Sequence, residues 1–464
     1  MSLKYAHSST RFLTRAACVA TIVGLSAFGI VASAGAATTH FGPIPGSPVA
    51  VGQTPVAAAF DTNVNPATGH QQVYIANSGS NSVSVIDAST HLVTNTIGFA
   101  HIGGAPSAIT INQTDDLVFV AQYDDESVTI IDGRTNSVIG AGHVVGPMPD
   151  ALAWDSVNHR VYVANYGNGT VTILDDKTGV EVPLGTVSIG TGGSTSKPEG
   201  IAVDQLTNKI VIAAQGDDKV FIMNGNSNAL STATATFASP NAVTVDAVRG
   251  WAYVANYDNN TVSVVDLATG ADVPGSPITV GNNPNALAIN ENTGQVYVAN
   301  FNSSLSIIDP SDLSVTTTGA VGNKPSGVAV DSGPSGEVYV TNQADGAVTI
   351  LGTTVSPTIT SGAPPVATEG ASYSFPFSAT GTPSQITFSV TGNLPTGLSL
   401  VDGTLVGTPT ESGTFAFTLH ASNGADPEAT ADYTLTVNAA ATTTTTTTTP
   451  PPSVAGTHLP VVSG

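Results

Sequence analysis

The sequence predicts an all-β protein: a seven-bladed β-propeller followed by a small Ig-like β-sandwich. Three observations predict it. A strand of the form apolar-aromatic-apolar-Ala-Asn recurs with its central position at Tyr74, Phe119, Tyr162, Val211, Tyr253, Tyr297 and Tyr339, at spacings of 42 to 49 residues. A second apolar strand, opened by Pro-x-Ala or Pro-x-Gly, precedes every copy, at Pro55, Pro106, Pro149, Pro198, Pro240, Pro284 and Pro325. After Leu351 the repeat stops, and short alternating patterns of a different kind begin. Four short strands in that period make one propeller blade.

The first 36 residues read as a secretory signal peptide. Lys4, Arg11 and Arg15 form the basic leader, Ala16 to Val31 the apolar stretch, and Ala32-Ser33-Ala34 and Ala34-Gly35-Ala36 are cleavage candidates. Cys18, the one cysteine, lies in this segment, so a mature chain has none. That excludes an internal disulfide framework and a thiolate zinc site. Eight basic residues then face 33 acids, leaving a net charge of −25. A polyanion of this kind is not drawn to nucleic acid. No later stretch is long and apolar enough for a membrane span.

Residues 46–352 are assigned to the propeller. In each unit strand one, such as Ala286-Leu287-Ala288-Ile289, has small and apolar residues on both faces; it is expected to be the most buried and to line the centre. Strand two carries the Tyr-Val-Ala-Asn type. Strand three alternates, as in Thr261-Val262-Ser263-Val264-Val265, so one of its faces is expected to be wetter. Strand four is the outer one. Gly46-Ser47-Pro48-Val49-Ala50-Val51-Gly52 copies Gly275-Ser276-Pro277-Ile278-Thr279-Val280-Gly281, a fourth strand. Residues 47–51 are therefore expected to supply the outer strand of the last blade and close the ring. The fourth copy departs most, with Ala214 for Asn and Asn224 for Asp.

Residues 356–438 have no Lys or Arg and read as a β-sandwich. Gly413-Thr414-Phe415-Ala416-Phe417-Thr418-Leu419 and Ala431-Asp432-Tyr433-Thr434-Leu435-Thr436-Val437 are its clearest strands. Residues 439–464 form a Thr/Pro-rich tail, expected to be an extended spacer open to O-glycosylation. Its end, Leu459-Pro460-Val461-Val462-Ser463-Gly464, faintly resembles a sortase signal, with an extra residue and Ser where Thr is expected.

Two sets of residues are candidates for binding. The residue after each Pro, Val56, Ser107, Asp150, Glu199, Asn241, Asn285 and Ser326, should ring one mouth of the central channel. Asp150 and Glu199 fall on adjacent blades, where a cation is conceivable. The turn after strand two carries Asn77, Gln122, Asn165, Asn256, Asn300 and Asn342, several followed by an aromatic: Tyr123, Tyr166, Tyr257 and Phe301. Each Asn is expected to cap its own turn by bonding to backbone. The aromatics could stack on sugars or meet a protein partner. Both sets should share one face. The propeller histidines, His70, His91, His101, His143 and His159, sit at unrelated points of the repeat and read as turn residues, and Trp154 and Trp251 read as core. No catalytic, cofactor or metal set emerges.

The Tyr-Val-Ala-Asn strands resemble the YVTN-type propeller repeats of bacterial and archaeal surface proteins; Tyr339-Val340-Thr341-Asn342 is that motif letter for letter. The resemblance covers residues 46–352 and implies a seven-bladed propeller on an extracellular protein. The run Leu394-Pro395-Thr396-Gly397-Leu398 to Gly407-Thr408-Pro409 resembles the putative-Ig (cadherin-like) modules of bacterial surface proteins. The reading that follows is a monomeric, secreted or cell-wall-associated scaffold, without cofactor, that binds a protein or glycan on one propeller face and is not an enzyme. One alternative is a lactonase-like enzyme, since lactonases resembling 6-phosphogluconolactonase carry similar strands. Against it, the mouth has only Lys197 and Lys324 nearby to meet an anionic sugar. A second alternative is a structural envelope protein.

Overall fold

A computed structural model describes residues 39–99, 104–178, 181–190, 195–319, 321–425 and 427–441. The signal-peptide reading, the Thr/Pro run, the sortase-like end and His101 lie outside them. Among the described residues, no helix is long and apolar enough to cross a membrane.

The protein is all-β, a seven-bladed propeller with an Ig-like sandwich. Six four-stranded antiparallel sheets follow one another along the chain, from Pro55–Gly98 to Pro284–Thr317. The seventh is built from both ends of the repeat region: Pro325–Val330, Val338–Asn342 and Ala347–Ile359, with Val49–Ala50 pairing antiparallel to Ala347 and Val348. Each of the seven blade interfaces has its own buried apolar cluster, and an eighth cluster fills the sandwich. At the seam between blades seven and one, Tyr339, Val348 and Ile350 pack on Phe60, Val73 and Ile75.

The burial order differs from the one read in the sequence. Strand two is the buried one: all six residues of Gln72–Asn77 are inaccessible, whereas the middle of Pro55–Asp61 is half-exposed. The reason is position. Strand two is covered on both faces by the neighbouring blades, while strand one turns its small residues to the channel. Strand three is also buried on both faces, as in Ser82–Asp87. Solvent reaches strand four instead, where five of the six residues of Val93–Gly98 are exposed.

Asp or Asn closes strand one, and strand three in the first six blades, and its carboxyl or amide oxygen accepts backbone N–H groups two or three residues on. Asp87 accepts Ser89 and Thr90, and Asp266 accepts Ala268 and Thr269. These side chains stand in for backbone acceptors and fix the hairpin. Asn224 in the divergent fourth copy does the same for Asn226 and Ser227, each at 3.0 Å. Ala214 there has no such role to play; a single 3-10 turn, Gln215–Asp217, follows it.

The third strand of blade seven does not end with the propeller. It runs unbroken over 13 residues, Ala347–Ile359, into the sandwich. Thr39–Pro43 pairs with its middle, and Ala379–Thr382 with its far end. Asn423 Nδ2 ties the junction by reaching both the Val355 and Pro383 carbonyls at 3.0 Å. The sandwich itself stacks the sheet containing Gly413–Ser422 and Ala429–Asn438 on the three strands Tyr373–Pro376, Thr404–Gly407 and Leu398–Val401. Phe377, Phe417, Tyr433 and Leu405 form its core. In the Leu-Pro-x-Gly run, Gly397 and Gly407 both have positive φ, and a Cβ on either would collide with the other strand's backbone. Their role is close backbone approach.

Candidate functional site

The channel mouth is made by the same irregularity in all seven blades. Strands one and two pair Pro with Asn (with Gln122 in blade two and Ala214 in blade four), then skip a residue, so that Pro55 faces Asn77 and Ala57 faces Ala76 while Val56 has no partner. The same shift leaves Ser107, Asp150, Glu199, Asn241, Asn285 and Ser326 unpaired in the ladder. Each is the extra residue of a β-bulge, a device that re-aims a side chain. All seven line one cavity of about 300 Å³, with Gln343 at its edge.

The turn ahead of each bulge is equally uniform. The residue before Pro is left-handed in every blade, with φ between 43° and 54° at Thr54, Ala105, Met148, Lys197, Ser239, Asn283 and Lys324. None is glycine. The carbonyl of each accepts the backbone N–H that follows strand two, as in Tyr123 to Ala105 (3.1 Å), Tyr166 to Met148 (2.9 Å), Tyr257 to Ser239 (3.2 Å) and Phe301 to Asn283 (3.0 Å). The two candidate sets are thereby brought to the same end of the ring. The four aromatics are half-buried beside the bulge residues but do not line the cavity itself. Lys197 Nζ sits 5.3 Å from the centre of the Tyr166 ring, and Lys324 Nζ 5.4 Å from that of Phe301. These are cation–π distances.

The asparagines do more than cap their turns: Asn300 Nδ2 does reach the Ser304 carbonyl of its own turn at 3.3 Å, but the bond they share is to hydroxyls of strand three. Asn165 Nδ2 lies 2.9 Å from both Thr170 Oγ1 and Thr172 Oγ1, and Asn256 Nδ2 lies 3.1 Å from Thr261 Oγ1 and 2.8 Å from Ser263 Oγ. Asn77, Asn300 and Asn342 make equivalent bonds. The amide locks strand two to the buried hydroxyls of strand three. A glycine ahead of the bulge leaves room for it: a Cβ on Gly146 or Gly281 would lie 2.6 Å from the Asn165 or Asn300 amide. The sequence signal was the recurrent Val-Gly-x-x-Pro, as in Val145-Gly146-Pro147-Met148-Pro149. Gln122, one bond longer, leaves both amide atoms without a partner.

Electrostatically the mouth is uneven. Burial pushes the Asp150 carboxyl up to about 7. It pushes Glu199 up to about 8, with the Asp150 charge adding to the rise and Lys197 opposing it. Both keep part of their surface on the channel, so the cause is the narrow, alanine-lined wall and not full enclosure. The Tyr123 hydroxyl is raised too, by burial first and then by Asp150.

The far end of the channel has its own cavity, which sequence reasoning missed. Phe60, Ile111, Trp154 and Gln205 are among its walls. Trp154, read as core, donates its indole N–H to Asp176 there at 3.0 Å. Gln113 and Gln205 each clamp the preceding blade, Gln113 donating to Phe60 O and Gln205 to Trp154 O. His70 pairs with Asp87 at 2.8 Å and His91 with Glu337 at 3.0 Å. Among the described residues, no three His, Cys, Asp or Glu side chains gather as a metal-binding group.

Comparison with known proteins places two segments. Residues 353–438 match the family model described as Putative Ig domain. Residues 62–273 match the one described as Choice-of-anchor I domain. No curated protein matches the chain. Among solved structures, 1385 chains match. One is Kuenenia stuttgartiensis Hydrazine Synthase, with TM-score 0.53 and 16% identity over 67% of this chain and 98% of that one. At that identity the likeness shows the fold alone, and so widely used a fold assigns no chemistry.

Proposed function

We propose that the protein is a secreted or cell-surface propeller scaffold of the YVTN-type kind that binds a protein or glycan over the channel mouth. The single observation behind this is the concentration of variation at that face. Blades that repeat one another in turn, cap and lock present seven bulge residues of five different types and a rim of four aromatics. Tyr and Phe faces of this kind suit sugar stacking and protein contact. The matches to Choice-of-anchor I and Putative Ig domain models support a surface or exported location.

The non-enzymatic reading is supported by how the mouth hydroxyls are used. Ser107 Oγ donates to Pro149 O at 2.6 Å and Ser326 Oγ to Pro55 O at 2.8 Å, so neither hydroxyl is paired with a base. The test is binding of the purified chain to glycan and extracellular-matrix arrays. Binding is expected, and is expected to fall in Tyr123→Ala and Tyr166→Ala. An array without hits, or hits indifferent to both changes, would sink the reading. The raised Asp150 and Glu199 favour the lactonase-like alternative enough to assay it; lactone turnover lost in Glu199→Gln would establish it.

A further inference from the structure

We propose that the channel mouth between blades three and five is a site for a hard divalent cation, calcium or magnesium, held by the Asp150 and Glu199 carboxylates and the Asn241 amide oxygen. The argument begins with the direction of the hydrogen bonds around the mouth. Asn241 Nδ2 donates to Asn285 Oδ1 at 3.3 Å, Asn285 Nδ2 to Ser326 O at 3.3 Å, and Ser326 Oγ to Pro55 O. Each donor thus reaches forward to the next blade. Because the Asn285 nitrogen is committed to Ser326, its oxygen faces Asn241, and this fixes the Asn241 amide with its nitrogen forward. Its oxygen is left outside this chain of bonds.

That oxygen has no partner. Asn241 is only 4% exposed, lines the cavity, and its Oδ1 makes no hydrogen bond. Glu199 Oε2, on the adjoining blade, is likewise buried without a partner. The two blades approach closely here, since a Cβ on Gly200 would lie 2.9 Å from the Asn241 carbonyl oxygen. Asp150 on blade three lines the same wall. The mouth therefore holds two buried oxygen acceptors, Asn241 Oδ1 and Glu199 Oε2, that no hydrogen bond satisfies. Lys197, the nearest cation, forms no ion pair with either carboxylate and lies over Tyr166. Unpaired buried acceptors are costly. Two carboxylates, an amide oxygen and waters from the open channel form a ligand set for an oxygen-preferring divalent ion, and the two acids match its charge.

A proton is the competing occupant of the carboxyls. Cation binding must displace it and strengthens as pH rises. The other titratable groups facing the pair are Tyr123 and Lys197.

The test uses the whole protein, titrated with calcium chloride and with magnesium chloride by calorimetry, and with terbium read by tyrosine-sensitised luminescence. One ion per chain is expected, bound about tenfold or more tightly at about pH 8.5 than at about pH 6. The Asp150→Asn/Glu199→Gln double variant should lose at least about tenfold in affinity, and Asn241→Ala should also weaken it. Asp124→Asn, an exposed acid on the same face, should bind as the parent does. Circular dichroism checks that each variant is folded. Absence of binding at millimolar calcium and magnesium would overturn the site, leaving a proton as its occupant. Binding undiminished in the folded double variant would overturn it as well. Array binding and ion binding are separate readouts, so loss of one leaves the other reading standing.

Discussion

The Ser326 hydroxyl donates a 2.8 Å hydrogen bond to the Pro55 carbonyl across 271 residues of chain. It joins the innermost strand of the last blade to that of the first. Farther out, His91 of blade one meets Glu337 of blade seven at 3.0 Å, and Glu337 in turn accepts the Tyr339 hydroxyl at 2.8 Å. Val49–Ala50 pairs with the third strand of blade seven. The ring is closed at three radii without a covalent link.

The seam depends on a missing Cβ. One added to Gly327 would lie 2.8 Å from both Ala57 Cα and Val56 O, which are backbone atoms that cannot swing aside. Gly327→Val should therefore lower the unfolding free energy by about 1–3 kcal/mol. Urea titration measures this, with Gly98→Ala, where a Cβ meets nothing, as the neutral comparison. Equal stability of the two variants would show that the seam has slack.

The amide lock gives a second expectation. Removing the Asn256 side chain leaves Thr261 and the fully buried Ser263 hydroxyl without their donor. Asn256→Ala should cost about 1–3 kcal/mol. Ser263→Ala made together with it should cost less than the sum of the single changes, by roughly 1 kcal/mol. Strict additivity in a double-mutant cycle would mean that the bond does not stabilise the blade.

The fold was legible because period is a property of the chain. Tyr74 to Tyr339 mark seven units, and the copy of residues 275–281 at 46–52 marks a fourth strand lying before the first inner one. The post-proline residues could be assigned to one mouth by counting. What counting could not supply was the reason they point there. The bulge after each Pro is a register shift between strands, and register is invisible until both strands are placed. The left-handed turn before it runs against the ordinary preference of a pre-proline residue. The asparagines were assigned to their own turns because local bonding is what sequence proximity suggests, whereas their hydroxyl partners lie four to seven positions on, across a hairpin. The sandwich was separated from the propeller at a change of composition, but Ala347–Ile359 continues through that change as one strand.

Left-handed backbone costs a side-chain-bearing residue about 1–2 kcal/mol, with Asn least affected and β-branched residues most. Thr54, at φ 53°, occupies the position that Asn283 fills in blade six at the same angle. Thr54→Asn should stabilise the protein by about 1 kcal/mol. Lys324→Val, which introduces a branched residue at φ 54°, should destabilise it by a similar amount. Chemical denaturation of the two variants should move in opposite directions.

The mouth carboxyls also predict how stability depends on pH. Asp150 rises from 3.8 to about 7 and Glu199 from 4.5 to about 8, burial being the main cause in both. Between the unfolded and folded values the native state holds protons that the unfolded chain has released. The unfolding free energy therefore falls as pH rises through that window. Their contribution is fully present below about pH 4 and lost above about pH 8. Asp61, raised to about 7 by burial and then by Asp116, adds to the same trend. Comparison with a variant isolates the mouth. Asp150→Asn/Glu199→Gln, measured without divalent ions, should melt roughly 2–4 °C above the parent at about pH 9 and close to it at about pH 4. A gap that is the same at both pH values would mean that the two carboxyls titrate as they do in the unfolded chain, and that the channel wall does not hold their protons.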